Sequence, residues 1–194
     1  DRNTFVGYLS GDATTTAADN TAVGTSALGA NTTGGSNVAV GAYALDANTT
    51  AASNTAVGYG SLGANTTGAD NVALGYAALA ANTTATQNTA LGTYSGDALT
   101  TGSYNVALGY GSLGAATDAQ QNVAIGRHAL SDGNGSFNVA VGNHALDDNT
   151  ANYNVGVGYQ ALYVNTSGTN NVAVGASALI ANTTGADNTA LGYS

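Results

Sequence analysis

The chain has 194 residues, including 28 glycines, and contains no proline, cysteine, methionine or tryptophan. Its formal net charge is −9, and only two residues are Lys or Arg. So few cations exclude a surface that binds a nucleic-acid backbone. The lack of cysteine excludes disulfides and thiolate metal sites. No apolar run approaches the length of a membrane span, so we expect no membrane insertion by this segment.

A short repeat runs along the whole chain. The motif Asn-[Thr/Val]-Ala-[Val/Leu/Ile]-Gly recurs with a constant spacing, which is shortened only in the two units 122–137 and 138–153. We number the positions of each unit from this Asn, which is position 1. Such a unit is too short for a helix pair or a propeller blade, and its Thr, Val, Gly and Asn disfavour helix. The sequence therefore predicts an all-β protein, a parallel β-solenoid with about 11 coils of roughly 16–17 residues.

Within one unit, the elements follow in a fixed order. Positions 2–4 predict a strand with positions 2 and 4 on one face and position 3 on the other. A turn glycine follows at position 5. Positions 8 and 9, such as Ala44–Leu45, predict a second short strand before the polar Asn-Thr-Thr-Gly corner. The expected turn glycines are Gly24, Gly41, Gly58, Gly75, Gly92, Gly109, Gly126, Gly142, Gly158 and Gly175.

Stacking the coils about 4.8 Å apart would align equal positions into columns. The Asn at position 1 then predicts a ladder of side-chain amides that pair between coils. Its members are Asn20, Asn37, Asn54, Asn71, Asn88, Asn105, Asn122, Asn138, Asn154, Asn171 and Asn188. A column of Thr at position 13 accompanies it, and we interpret the Asn-Thr-Thr triplets as turn chemistry rather than as glycosylation sites.

Both faces of the predicted strand carry apolar residues, and one coil is too small to enclose both. One face should therefore line the coil's own core, and the other should pack against another subunit, as in a cyclic oligomer. The pattern leaves open which face points inward. We expect residues 1–194 to form a single solenoid domain that is part of a longer fibrous protein.

The segments Asn54-Thr-Ala-Val-Gly-Tyr-Gly-Ser-Leu-Gly-Ala-Asn-Thr-Thr-Gly68 and Asn71-Val-Ala-Leu-Gly-Tyr-Ala-Ala-Leu79 resemble the YadA-like head repeats of trimeric autotransporter adhesins. They are even more similar to the related repeats of bacteriophage tail fibres. The resemblance covers essentially the whole chain. It implies a left-handed β-roll, a homotrimer and display on a virion or cell surface, outside the cell. Many head repeats are shorter than this unit, so its greater length favours the phage branch.

Two groups of side chains are candidates for ligand recognition. Tyrosine recurs at position 6, at Tyr59, Tyr76, Tyr110 and Tyr159, where rigid amphipathic rings suit either recognition or coil packing. The second group lies in the two short units. His128 and His144 both occupy position 7 and should stack on adjacent coils about 5 Å apart. Their neighbours Arg127, Asp147 and Asp148 complete this group. A solvated surface pair, a ligand contact and a divalent metal site remain open for the histidines, with the metal least favoured.

The sequence offers no arrangement of nucleophile, base and acid typical of an active site. We therefore predict a non-enzymatic protein without a cofactor, acting as a structural or adhesive segment of a trimeric fibre with a glycan or protein receptor. One alternative is an extracellular filament subunit that stacks end to end. A less favoured alternative is a monomeric ice-binding solenoid that uses the Thr column.

Overall fold

A computed structural model describes residues 2–194 and shows a parallel β-solenoid. Each coil contributes one three-residue strand to a single 12-stranded sheet, and the strands follow one another in sequence order. The strands are β1 (Thr4–Val6), β2 (Thr21–Val23), β3 (Val38–Val40), β4 (Thr55–Val57), β5 (Val72–Leu74), β6 (Thr89–Leu91), β7 (Val106–Leu108), β8 (Val123–Ile125), β9 (Val139–Val141), β10 (Val155–Val157), β11 (Val172–Val174) and β12 (Thr189–Leu191). None of the described residues forms a helix that could cross a membrane.

The register between strands keeps every motif position in one column. Val38 pairs with Thr55, Ala39 with Ala56 and Val40 with Val57. The same positions pair in β8 and β9, although the unit that begins with β8 is one of the two short ones. The shortened units therefore lose a residue from a corner and not from the sheet. The predicted solenoid of about 11 coils is confirmed.

The prediction of a second strand in each unit is wrong. Positions 8 and 9 lie in a turn, and the leucine at position 9 has a positive φ, for example 51° at Leu45 and Leu62. A left-handed conformation costs a non-glycine residue about 1 kcal/mol or more. Leu45 and Leu62 are nevertheless fully buried, so the packing of neighbouring coils compensates for this strain.

The inward face of the strand carries the alanine at position 3. Ala39, Ala56 and Ala73 have no exposed surface, while positions 2 and 4 on either side are half-buried or exposed. The core is built from this alanine, the small residue at position 8 and the leucine at position 9. A small inward residue lets the sheet approach the leucine column closely. The larger Val and Leu side chains consequently point away from the coil.

In two coils, a side chain from another position fills the core where the leucine of position 9 is missing. In the first coil, Gly11 stands at the leucine position, and the ring of Phe5 occupies the space beside it. In the coil that starts at Asn88, Gly96 takes the leucine position and Leu99, at position 12, fills the core instead. The sequence deviates at these points while the buried volume is maintained.

The turn glycines at position 5 lie close to the backbone of the next coil. All ten expected glycines have φ between 129° and 142°. A Cβ on Gly58 would collide with the carbonyl group of Gly75 on the next coil. Only glycine both adopts this positive φ readily and lacks the Cβ that would collide with the next coil.

Candidate recognition surface

One corner of the solenoid carries a continuous column of aromatic rings. It runs through eight consecutive coils, with one ring from each coil and 5.2–6.1 Å between the centroids of neighbouring rings. We call this column the aromatic ladder. Its members in order are Tyr43, Tyr59, Tyr76, Tyr94, Tyr110, His128, His144 and Tyr163.

The orientation of each ring follows from its position in the coil. Tyr59 and Tyr76, both at position 6, are nearly parallel, with 9° between their planes. His128 and His144, both at position 7, are also stacked, at 15° and 5.2 Å. Where the ladder passes between positions 6 and 7, the planes lie at 73–87°, as between Tyr76 and Tyr94. Both arrangements are favourable for aromatic pairs.

The ladder is open to solvent along its tyrosine segment. The exposed fraction is 43% for Tyr43, 51% for Tyr59, 47% for Tyr76, 38% for Tyr94 and 49% for Tyr110. Partial burial, followed by the neighbouring Tyr76, raises the pKa of Tyr94 above its usual value. A tyrosine hydroxyl is protonated at neutral pH, so each of these tyrosines can both donate and accept hydrogen bonds.

Carboxylates accompany the ladder at positions 10 and 11. Burial raises the pKa of Asp46 and of Asp97. Burial also raises the pKa of Asp148, with a smaller effect from Asp147 and Asp132. This side of the molecule combines ring surface with negative charge.

A polar network joins the two histidine coils. Arg127 Nη1 lies 3.2 Å from His144 Nε2, and His144 Nδ1 lies 2.6 Å from Asp147 Oδ2. A guanidinium can only donate, so Nε2 of His144 accepts and its Nδ1–H donates to the carboxylate. His128 Nδ1 is 3.1 Å from Ser131 Oγ. The two histidines and Arg127 therefore belong to one hydrogen-bonded and stacked cluster.

This cluster is not arranged as a metal site. Both nitrogens of His144 are engaged, by Arg127 and by Asp147, and the guanidinium places a positive charge beside the ring. Among residues 2–194, no group of three or more His and Asp side chains could hold a metal ion. Asp147 is 5% exposed and its Oδ1 has no hydrogen-bond partner among these residues. Its negative charge is the main cause of the raised pKa of Tyr163.

Tyr159 is placed differently from the other tyrosines of the position-6 column. It is 53% exposed, but the ladder passes in that coil through Tyr163 at position 10. A second pair of rings lies at another corner, where Phe137 and Tyr153 stack at 5.0 Å. Like Phe137 and Tyr153, Tyr104 directly precedes the position-1 Asn of a unit, and it is 55% exposed.

The Thr column has a structural role. At position 13, hydroxyl groups donate to backbone carbonyls of the next coil, as Thr49 Oγ1 does to Thr66 at 3.1 Å and Thr66 Oγ1 to Thr83 at 3.0 Å. The neighbouring position 14 turns outward, for example at Thr67. The Asn of the Asn-Thr-Thr triplets is buried in most coils, with no exposed surface at Asn48 or Asn65.

An open pocket of about 590 Å³ lies beside the last described strand. It is lined by apolar positions of the final coils, including Leu179, Ile180, Ala190 and Leu191. Leu179 and Ala190 occupy the core positions 9 and 3, whereas Leu191 lies on the outward face of the last strand. The pocket is thus the open face of the stack, and it brings no chemically reactive groups together.

The sequence pattern identifies five of the ladder residues as members of tyrosine or histidine columns. It does not reveal the ladder itself, because the ladder alternates between positions 6 and 7, which form separate columns in the sequence. A signal was present. From the coil at Asn37 to the coil at Asn154, each unit has one aromatic or His residue at these two positions, and never two. Tyr43 and Tyr94 could have been found in this way.

Compared with models of known protein families, with characterised proteins and with solved structures, the chain shows no match.

Proposed function

We propose that this chain is a structural and adhesive segment of a trimeric fibre of the phage tail or bacterial surface type. It would act outside the cell as a spacer that presents repeated surface columns, and no enzymatic step is required of it. The observation that carries the proposal is the apolar outward face of the sheet.

That face extends along the whole described stack. Positions 2 and 4 hold Thr, Val, Leu or Ile in every unit, while the core behind them is already filled by alanine and leucine. Leu74 is 48% exposed, Leu91 40% and Ile125 37%. A contiguous apolar strip on a soluble protein indicates an interaction site. A second and a third copy of the same chain would cover it over its full length, because they repeat with the same period.

The number three and the left-handed sense of the coil come from the resemblance of the repeat to adhesin heads and tail fibres. Composition and multivalency also support an assembly of several copies. Low charge density limits repulsion between closely packed copies, since only 7% of the residues are charged. Three copies of every surface column would also turn weak binding by each column into strong attachment.

Paired substitutions test the interface. Leu74→Asp with Leu91→Asp would place carboxylates on the outward strip of adjacent coils, and we expect dissociation to monomers in analytical ultracentrifugation. The matched control is Thr67→Asp with Thr84→Asp, two exposed residues at position 14 of adjacent coils. The control should keep the oligomer. Dissociation of both variants, or of neither, would contradict the proposed interface.

A further inference from the structure

The aromatic ladder repeats with the period of the coil. Each coil adds one ring, and the centroids of neighbouring rings lie 5.2–6.1 Å apart. A partner with an irregular surface, such as a folded protein or a peptide of mixed sequence, gains little from similar rings repeated along eight coils. A partner that also repeats, with a unit about as long as one coil, can place one unit at every ring.

The rings and their surroundings restrict the chemistry of that partner. Tyrosine presents an apolar ring and a hydroxyl that hydrogen-bonds, which matches a molecule with both C–H surfaces and hydroxyl groups. Carboxylates beside the ladder, such as those of Asp46 and Asp97, can accept further hydroxyl hydrogens. The chain has a net charge of −9, so it repels polyanions.

We propose that the aromatic ladder binds a linear, uncharged polysaccharide that lies along the solenoid axis with about one sugar unit per coil. This inference rests on the proposed adhesive function and names its ligand class. The tyrosine segment, from Tyr43 to Tyr110, supplies five adjacent rings for contact with the sugar units. The cluster of Arg127, His128 and His144 ends this segment, and the guanidinium of Arg127 has further N–H donors besides the one bonded to His144.

The test uses the complete 194-residue chain and defined oligosaccharides. Probes are unsubstituted β-linked gluco-, xylo-, manno- and chito-oligosaccharides from two to ten units long, with a sulfated polysaccharide as the anionic probe. Titration calorimetry measures affinity. Tyrosine fluorescence gives a second readout, because the protein contains no tryptophan.

We expect at least one uncharged series to bind, with an affinity that rises with each added unit and levels off near the eight rings of the ladder. The sulfated polymer should not bind. Replacing the stacked pair by Tyr59→Ala and Tyr76→Ala should weaken binding roughly tenfold. The matched control is Tyr104→Ala, a similarly exposed tyrosine at another corner, and it should leave the affinity unchanged.

Several results would overturn the ladder proposal. These are no binding by any uncharged series, an affinity independent of length, stronger binding of the sulfated polymer, or equal losses in the Tyr59/Tyr76 and Tyr104 variants. If sister chains covered the rings, a soluble quencher would not reduce the tyrosine fluorescence, and no uncharged series would bind. Oligomer mass separates the two proposals: a monomer that binds the sugar contradicts only the trimer, and a trimer that does not bind contradicts only the ladder.

Discussion

The Asn columns at positions 1 and 12 consist of the same side chain with nearly the same burial, yet only the first is unbroken. At position 1, each Asn from Asn20 to Asn188 donates its backbone N–H to Oδ1 of the Asn one coil earlier, at 2.8–3.0 Å. At position 12, the hydrogen bonds between neighbouring coils join side chain to side chain, as from Asn48 Nδ2 to Asn31 Oδ1 at 3.0 Å.

The two columns therefore satisfy different groups. The position-1 amide completes the backbone pairing directly before each strand, where an unpaired buried N–H would be costly. The position-12 amide bonds to the amide of the neighbouring coil and to a carbonyl in its own corner, as Asn65 does to Asn48 and Gly68, and no backbone N–H depends on it. This column is interrupted at Leu99, Ala116 and Gly133 and resumes at Asn149. The last Asn before the gap, Asn82, has a buried Oδ1 without a partner among the described residues.

The largest effect is expected from Asn71→Ala. This substitution leaves the N–H of Asn88 without its partner and removes one of the two donors to the carbonyl of Ala85, and we expect a loss of about 3 kcal/mol in the free energy of unfolding. The position-12 counterpart Asn65→Ala should cost about half as much, because no backbone N–H is orphaned. Urea unfolding at one fixed protein concentration measures both. Equal losses would show that the two columns do not differ in this way.

The next prediction extends the interrupted column by one coil. Gly96→Leu alone should overpack the core against Leu79 and Leu99, and Leu99→Asn alone should leave a cavity, each costing about 2 kcal/mol. The double variant matches the common repeat, gives Asn82 Oδ1 a donor and should be as stable as the natural chain or more so. Gly96 already has φ of 58°, close to the φ of the leucines at this position in other coils. Additive losses in a double-mutant cycle would refute the exchange of side chains.

A third variant compares these buried columns with an exposed one. Tyr59→Ala removes one stacked and one edge-on ring contact, and we expect a loss of about 1 kcal/mol. Tyr104→Ala, outside the ladder, should cost less. Thermal unfolding at matched concentration distinguishes them. A loss at Tyr59 as large as that at Asn71 would mean that the ladder supports the fold more than the ring geometry indicates.

The smallest effect concerns Asp97, which lies in the coil where the position-12 column is interrupted. Burial raises the pKa of this carboxyl in the folded protein, so its charged form opposes folding at neutral pH. The penalty is present above the folded pKa and is relieved as the pH falls through it. Asp97→Asn should therefore raise the melting temperature slightly at neutral pH, and the gain should vanish below about pH 4. If the increase in melting temperature persisted in acid, the effect of the substitution would come from packing and not from the charge of Asp97.

The repeat made the architecture predictable because equal spacing leaves parallel stacking as the simple solution. The Asn pairing and the spacing of about 5 Å between His128 and His144 follow from that stacking alone. Other features depend on the path of the chain through each corner. The left-handed leucine at position 9 and the merging of positions 6 and 7 into one ladder require φ values that no local pattern specifies.

Light scattering of the unmodified chain over a range of concentrations tests the central proposal most directly. We expect a discrete species with three times the mass of the 18.7-kDa chain, independent of concentration. Its constancy would separate a closed trimer from end-to-end filaments, which grow with concentration. A folded species of 18.7 kDa would contradict the proposal that sister chains cover the outward face of the sheet.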